Sequence, residues 1–176
     1  MRIFFLLSII SFYSCSNIKS VETSYYDVDE AYQVYLTYFI EHLKESNEGR
    51  LVFRDSTEFT SPPVLLELNE IDDKTLDNYF QENKIPIIIN VKKFAELKND
   101  VIILNLFNYN AEKFAIEYPK SNYYSLSKVG FNDTKRQAIF CLYTRGSVFG
   151  RTELIIMLEK HNNKWSIIKT YSSDYL

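Results

Sequence analysis

The chain has 176 residues, 46% of them hydrophobic and 24% charged, with 20 Lys and Arg against 23 Asp and Glu. This length and composition are typical of one globular domain with its own core, and they exclude a wholly disordered chain. A net charge of −3 gives no general attraction for a phosphate backbone, so we expect no nucleic-acid partner. Two cysteines are too few for a disulfide framework or a cysteine-rich zinc site.

The N-terminus has the plan of an export signal. Arg2 is followed by a mostly apolar run that ends at the small Ser14, and this run is too short for a stable membrane-spanning anchor. Cys15 comes next, and the segment resembles the lipobox of bacterial lipoproteins, with Phe12 and Tyr13 where that box usually has Leu and a small residue. The resemblance implies cleavage before Cys15 and attachment of diacylglycerol to its sulfur. The alternatives are an ordinary signal peptide or an N-terminal core helix, with Cys15 incidental in either.

The lipobox interpretation divides the chain into three parts. Residues 1–14 are a signal peptide, 15–26 a lipidated cysteine with a polar tether, and 27–176 a single folded domain. Acyl chains such as palmitate contribute about 0.8 kcal/mol per buried methylene, and two chains suffice for stable attachment. We therefore expect a protein of the bacterial cell envelope, attached to a membrane by its lipid on the periplasmic face or at the cell surface.

The first two thirds of the domain contain both helix-like and strand-like sequence patterns. An amphipathic helix is predicted over Asp27–Lys44, where apolar residues recur at three- and four-residue spacing and Asp27 is a suitable N-cap. A short strand over Leu51–Arg54 and a small helix over Asp72–Asn83 follow. The remaining segments are an apolar run at Val64–Leu68, a β-branched run at Ile85–Ile89 whose Pro86 disfavours a central strand, a strand at Val101–Phe107 and a weak helix at Asn110–Tyr118.

The last third of the domain is predicted to consist of β-strands. Four segments have the composition of strands, namely Tyr123–Val129, Gln137–Thr144, Glu153–Lys160 and Lys164–Tyr171. The last two form a hairpin across a turn rich in Asn. Because an antiparallel meander needs a helix over its apolar face, we expect the first helix to pack on this sheet. The predicted fold class is α+β, with an N-terminal amphipathic helix packed on a C-terminal antiparallel sheet of about four strands.

A resemblance to a protein family rests on this last third. Its core is Leu126-Ser127-Lys128-Val129-Gly130-Phe131-Asn132, followed by a strand over Gln137–Phe140, a Gly-containing loop and a strand pair with Lys164-Trp165-Ser166-Ile167. This set resembles uncharacterised bacterial envelope proteins that often carry a lipoprotein signal. The resemblance implies a fold and a location but no activity. The Lys-Trp-x-Ile ending behind an N-terminal helix is also similar to cystatin-like and NTF2-like α+β domains.

Residues with catalytic chemistry are few. His42 on the first helix and His161 in the hairpin turn both suit surface positions, and Cys141 within a strand suits a small buried hydrophobe. The sequence contains no recognisable metal-binding or nucleotide-binding motif, so we predict no metal and no cofactor.

A group of polar residues flanks the Gly146–Gly150 loop. Tyr143 and Arg145 share one face of their strand, and Arg151 and Glu153 share one face of the next. If the two faces coincide, the group forms a pocket mouth with a guanidinium anchor and an aromatic wall, suited to a carboxylate or a protein loop. The alternative is a surface ion pair at strand ends.

The sequence therefore predicts a lipid-anchored envelope protein with a non-catalytic binding or structural domain. Its partners would be the membrane, through the N-terminal lipid, and an unidentified protein or small molecule. The lack of a catalytic constellation favours this role over an enzyme. The alternative is an enzyme with a pocket in an NTF2-like α+β fold, which a deep pocket with convergent carboxylates would favour.

Overall fold

The computed structural model describes residues 28–45, 50–58, 68, 70–105, 111–119, 121–146 and 151–175. The predicted signal peptide, Cys15, the tether and most of the apolar run at Val64–Leu68 lie outside these residues. Among the described residues, no helix combines the length and the apolar character that crossing a membrane requires.

Within these ranges the chain forms three α-helices, one 3₁₀ helix and seven strands. The helices are α1 (Val28–Glu45), α2 (Asp73–Glu82), α3 (Ala111–Glu117) and the 3₁₀ helix η1 (Val91–Phe94). The strands are β1 (Arg50–Arg54), β2 (Asp100–Leu104), β3 (Asn122–Leu126), β4 (Gly130–Phe131), β5 (Gln137–Gly146), β6 (Arg151–His161) and β7 (Lys164–Tyr175).

All seven strands belong to one mixed sheet. Their order is β2-β1-β3-β5-β6-β7. The short strand β4 also pairs with β5, further along β5 than β3 does. β1 is parallel to β2 and β3, whereas the other pairs are antiparallel. The α+β class agrees with the prediction, but the expectation of about four antiparallel strands is wrong. β1 and β2 join the sheet by parallel pairing across long sequence separations, which no local pattern encodes.

Helix α1 covers one face of the sheet, which we call the α1 face. Tyr35 and Phe39 are fully buried, and the ring of Phe39 lies 5.0 Å from Phe53 and 5.4 Å from Tyr124. One continuous apolar cluster extends from here over the sheet and includes Leu51, Leu126, Phe140, Leu142, Ile156 and Leu158. The first helix therefore packs on the sheet as the sequence predicted.

The opposite face is covered by two helices, and we call it the divided face. α2 packs Tyr79 against the middle of β5 and β6, in a cluster with Ile139, Cys141, Ile155 and Met157. α3 packs Phe114 against β1, β2 and β3, in a separate cluster with Val52, Leu104 and Tyr123. Cys141 is fully buried in the first of these clusters, which confirms its prediction as a small core residue.

The Leu-Ser-x-Val-Gly-Phe-Asn run lies at the break between β3 and β4. Ser127 bridges the break, because its Oγ accepts a hydrogen bond from the backbone N of Cys141 at 2.8 Å. Gly130 packs so closely on α2 that an added Cβ would lie 2.5 Å from the Cβ of Tyr79. Asn132 Oδ1 accepts hydrogen bonds from two backbone amides of the turn that leads into β5. These three residues therefore have structural roles here.

A β-bulge in the last hairpin changes which face β7 presents. The register with β6 shifts between Met157 and Leu158, and Ile168 has no partner in the ladder there. Ile167 packs against the α1-face cluster, whereas Tyr171 beyond the bulge packs against the divided face. The hairpin itself was predicted, but the bulge was not.

Candidate functional site

The register of β5 and β6 brings the four sequence-predicted site residues together. Tyr143 lies opposite Glu153, and Arg145 lies opposite Arg151. Residues opposite one another in an antiparallel pair point to the same face, so all four positions belong to the divided face. Arg145 is exposed, and for Arg151 the structure describes the backbone alone.

Tyr143 and Glu153 form a buried hydrogen bond. The phenol hydroxyl of Tyr143 donates to the Glu153 carboxylate. Both side chains are buried, with 5% and 3% of their surface exposed. The contact is therefore an internal polar pair, in contrast to the surface ion pair that was the alternative interpretation of this group.

This pair is one end of a longer line of polar side chains. Ser125 on β3 lies opposite Tyr143, and its hydroxyl donates to Glu58 Oε2 at 3.0 Å. The same oxygen of Glu58 forms an ion pair with Arg54 at 2.5 Å. Arg54, Glu58, Ser125, Tyr143 and Glu153 thus form a line across the sheet, which we call the polar row. The row lies between the α2 cluster and the α3 cluster, and its Tyr143 also belongs to the α2 cluster.

Tyr123 adds an unsatisfied hydroxyl to the same region. It is 8% exposed, and its hydroxyl has no hydrogen-bond partner among the described residues. Burial raises the pKa of Tyr123 well above its usual range, and the Arg54 guanidinium opposes this while the carboxylates of Glu58 and Asp55 add to it. The hydroxyl therefore lies within electrostatic reach of the Arg54–Glu58 pair.

Arg145 completes the arrangement at the exposed side. It lies directly opposite Tyr123 in the register of β3 and β5, so the two side chains are cross-strand neighbours on the divided face. A guanidinium next to a buried phenol that lacks a partner in the described part of the chain is suited to a carbonyl or carboxylate oxygen, which accepts hydrogen bonds from both groups. Tyr123, rather than Tyr143, has a hydroxyl without a hydrogen-bond partner among the described residues, and that oxygen is itself buried.

Sequence reasoning missed Arg54, Glu58, Ser125 and Tyr123 as site residues. They come from segments far apart in the chain, and the parallel pairing of β1 with β3 brings them together. The one local signal is that Arg54 follows three apolar residues at the end of β1, which is also typical of a strand that reaches solvent.

The two histidines lie away from the polar row. His42 is half-buried on α1 and stacks on Tyr38, with ring centroids 5.6 Å apart. His161 is exposed in the last hairpin, where its Nε2 lies 3.2 Å from Glu159. Both are in the kind of position that the sequence favoured. Within the part of the chain that the structure describes, no group of three or more His, Cys, Asp or Glu could hold a metal ion.

A concavity lies between the turn before β5 and the β6–β7 turn. Its volume is about 500 Å³, and its lining includes Lys135, Arg136, Lys160 and His161. Lys160 already forms an ion pair with Glu30 at 2.7 Å, so part of the positive charge is neutralised within the protein. The polar row is therefore the stronger candidate.

Comparison with known proteins does not assign the chain to a family. No protein-family model matches it, and neither a curated protein nor a solved structure is similar enough to count as a match. The resemblance to envelope lipoproteins therefore stays a prediction from the sequence.

Proposed function

We propose that this protein is a lipid-anchored protein of the bacterial cell envelope whose folded domain is a non-catalytic binding module. The apolar N-terminal run that ends in Ser14-Cys15 supports the anchor. The arrangement of Tyr123, Arg145 and the polar row supports the binding role. The ligand is a small molecule or a partner loop that presents a carbonyl or carboxylate oxygen.

The Tyr123 hydroxyl, which has no hydrogen-bond partner among the described residues, is the observation that carries the binding role. A buried polar group without a hydrogen bond costs about 1–3 kcal/mol in stability. An oxygen of a bound ligand that accepts a hydrogen bond from Tyr123 would recover this free energy. Arg145, exposed on the neighbouring strand, would add a charge-assisted hydrogen bond to the same oxygen.

The anchor is tested by fatty-acid labelling of the full chain beside a Cys15→Ser variant, together with the mass of the mature N-terminus. We expect label on the wild type, none on the variant, and an N-terminus that begins at a modified Cys15. An unlabelled wild-type chain, cut elsewhere or left whole, would contradict the envelope assignment.

The binding role is tested by comparing the wild type with Tyr123→Phe, which removes one oxygen atom. Both proteins are cross-linked in intact cells with formaldehyde, and both are purified for native mass spectrometry of retained small molecules. We expect a bound species in the wild type that Tyr123→Phe loses. The control is Tyr118→Phe, which removes a hydroxyl from a half-buried tyrosine at the end of α3 and should retain the species. Equal retention in all three proteins would refute the site.

A catalytic role is the second candidate, because the polar row contains two carboxylates beside two hydroxyls. Glu58 accepts from Ser125, and Glu153 accepts from Tyr143. Such pairs are the usual groups of general acid–base catalysis. The test is turnover of chromogenic esters and glycosides by the wild type, Glu153→Gln and the exposed control Glu112→Gln. Activity that Glu153→Gln alone abolishes would replace the binding proposal with an enzyme.

A further inference from the structure

A short segment that ends at the first residue of η1 exposes several apolar side chains. We call Ile85–Val91 the isoleucine loop. Ile85 is 71% exposed, Ile88 83% and Val91 40%, and Pro86 is exposed between them. Single exposed apolar side chains are common, but several in one short segment mark a contact surface.

The isoleucine loop has a defined conformation. The backbone N of Ile87 donates to Thr57 Oγ1 at 2.9 Å, and the backbone N of Thr57 donates to the carbonyl of Ile87 at 2.9 Å. The backbone N of Ile89 donates to the carbonyl of Asp55 at 2.8 Å, and the Ile89 side chain is buried. The loop is thus fixed to the chain that follows β1, with one isoleucine directed into the core. The outward position of Ile88 follows from this fixed conformation.

The charge around the loop differs from that of the whole chain. Residues 83–94 contain Lys84, Lys92 and Lys93, with Glu82 and Glu96 on either side, and Lys93 is paired with Asp29, whereas the full sequence has a net charge of −3. All three lysines are exposed. Apolar side chains flanked by lysines are suited to the boundary between the headgroups and acyl chains of an anionic bilayer.

The loop also lies next to the point where the N-terminal segment enters the domain. The hydroxyl of Tyr32 on α1 accepts a hydrogen bond from the backbone N of Asn90 at 2.6 Å. Lys93 forms an ion pair with Asp29, the second residue of α1, at 2.5 Å. Twelve residues lie between Cys15 and Val28, so the thirteen Cα–Cα steps from one to the other span at most about 45 Å. A lipid on Cys15 would therefore hold the N-terminus of α1 within about 45 Å of the bilayer surface.

We propose that the isoleucine loop is a second membrane contact, an inference that rests on the proposed lipid anchor. Ile85 and Ile88 enter the headgroup–acyl boundary of an anionic bilayer, and Lys84 and Lys92 lie among the headgroups. The acyl chains already supply attachment. The loop instead sets the orientation of the domain, with the N-terminus of α1 toward the membrane.

The contact is tested in the full-length lipidated chain on vesicles of phosphatidylethanolamine and phosphatidylglycerol with doxyl-labelled acyl chains. Ile88→Trp is compared with Ile116→Trp, because Ile116 is 74% exposed on α3 at the divided face. The signal of the native Trp165 is subtracted with the wild type. We expect blue-shifted emission and acyl-chain quenching for Ile88→Trp and water-like emission for Ile116→Trp. Equal quenching of the two, or none in Ile88→Trp, would overturn the proposal.

A second arm tests the charge. In the Ile88→Trp background, Lys84→Gln and Lys92→Gln should each weaken the contact about fivefold on anionic vesicles and leave it unchanged on neutral phosphatidylcholine. Unchanged quenching of these variants on anionic vesicles would contradict the role of the lysines. Circular dichroism of each variant confirms that the domain remains folded.

The experiments distinguish a failure of the loop contact from a failure of the proposed lipid anchor. Lipidated protein on vesicles without quenching at position 88 overturns the loop contact and leaves the envelope proposal intact. If mass spectrometry finds no lipid on Cys15, the envelope proposal fails. The loop is then judged by the same quenching assay on the unlipidated chain, where quenching at position 88 supports the contact and its absence overturns it.

Discussion

The two faces of the sheet are built in different ways. The α1 face is a single apolar cluster in which aromatic rings meet edge to face. The divided face has two smaller clusters, one under each helix, and the polar row lies between them. Because buried polar groups cost free energy unless they are paired, such a row is tolerated where apolar packing is already interrupted. We infer that the α1 face supplies most of the stability of the fold and that the divided face carries the proposed binding site.

The largest expected effect compares one phenylalanine from each face. Phe39→Ala on α1 should cost about 3–5 kcal/mol in free energy of unfolding, because it empties the centre of the large cluster. Phe114→Ala on α3, which is also buried, should cost at least about 1 kcal/mol less, because a small cluster at one end of the sheet can collapse around the gap. Denaturant unfolding measures both values. Equal losses of unfolding free energy in the two variants would contradict the expected difference between the two faces.

A smaller effect is expected for Gly130→Ala, which tests how tightly α2 is docked. The added Cβ would lie 2.5 Å from the Cβ of Tyr79 and 2.6 Å from the carbonyl oxygen of Thr75. A backbone atom cannot rotate away, so α2 must shift, and we expect a loss of about 1–3 kcal/mol in unfolding free energy. Ser166→Ala at an exposed position of β7 is the control, with a change within about 0.5 kcal/mol. If Gly130→Ala is as stable as the wild type, α2 shifts without a loss of unfolding free energy.

Two Tyr→Phe variants, each of which removes one hydroxyl, compare two buried tyrosines of the divided face. Tyr143→Phe removes the hydroxyl that donates to the buried Glu153 carboxylate, and we expect a loss of about 1–3 kcal/mol. Tyr123→Phe removes a hydroxyl that has no partner among the described residues, so unfolding free energy should stay within about 0.5 kcal/mol or increase. Thermal and denaturant unfolding of the two purified variants measure the difference. A loss in Tyr123→Phe as large as that in Tyr143→Phe would show that its hydroxyl is bonded.

The smallest effect concerns an exposed pair at the edge of the divided face. Lys169 donates two hydrogen bonds to Glu70, and these lower the pKa of the Glu70 carboxyl below its ordinary value of 4.5. A carboxyl whose folded pKa is depressed stabilises the fold above its unfolded pKa and loses this contribution as the pH falls through the folded pKa. The wild type should therefore lose its small advantage over Lys169→Gln as the pH falls below 4.5. A constant difference between the two proteins across this range would contradict the pairing.

Helices and hairpin strands could be predicted because their signals are local. The stripe from Asp27 to Lys44 corresponds to α1, which begins at Val28 and ends at Glu45. The expected helix over Asp72–Asn83 corresponds to α2, with Asp72 as its N-cap and Asn83 as its C-cap. Periodicity and capping act within a few residues, so the sequence alone displays them.

The candidate site could be predicted only in part. Tyr143 and Glu153 lie on strands joined by one loop, so strand alternation alone places them on a common face. Ser125 and Arg54 reach the same line through strands that pair across the fold. Nothing in the sequence states which strand pairs with which, because many alternative pairings satisfy the same apolar pattern.

By itself, the sequence determined the α+β class, the amphipathic first helix, the final hairpin and the burial of Cys141. Each depends on side-chain periodicity or on turn residues, which are local properties. Tertiary structure alone decided the seven-stranded mixed sheet, the bulge in β7, the isolation of the Tyr123 hydroxyl and the exposure of Ile85 and Ile88. These features depend on which distant segments share the core, and that choice is made by the packing of the whole domain.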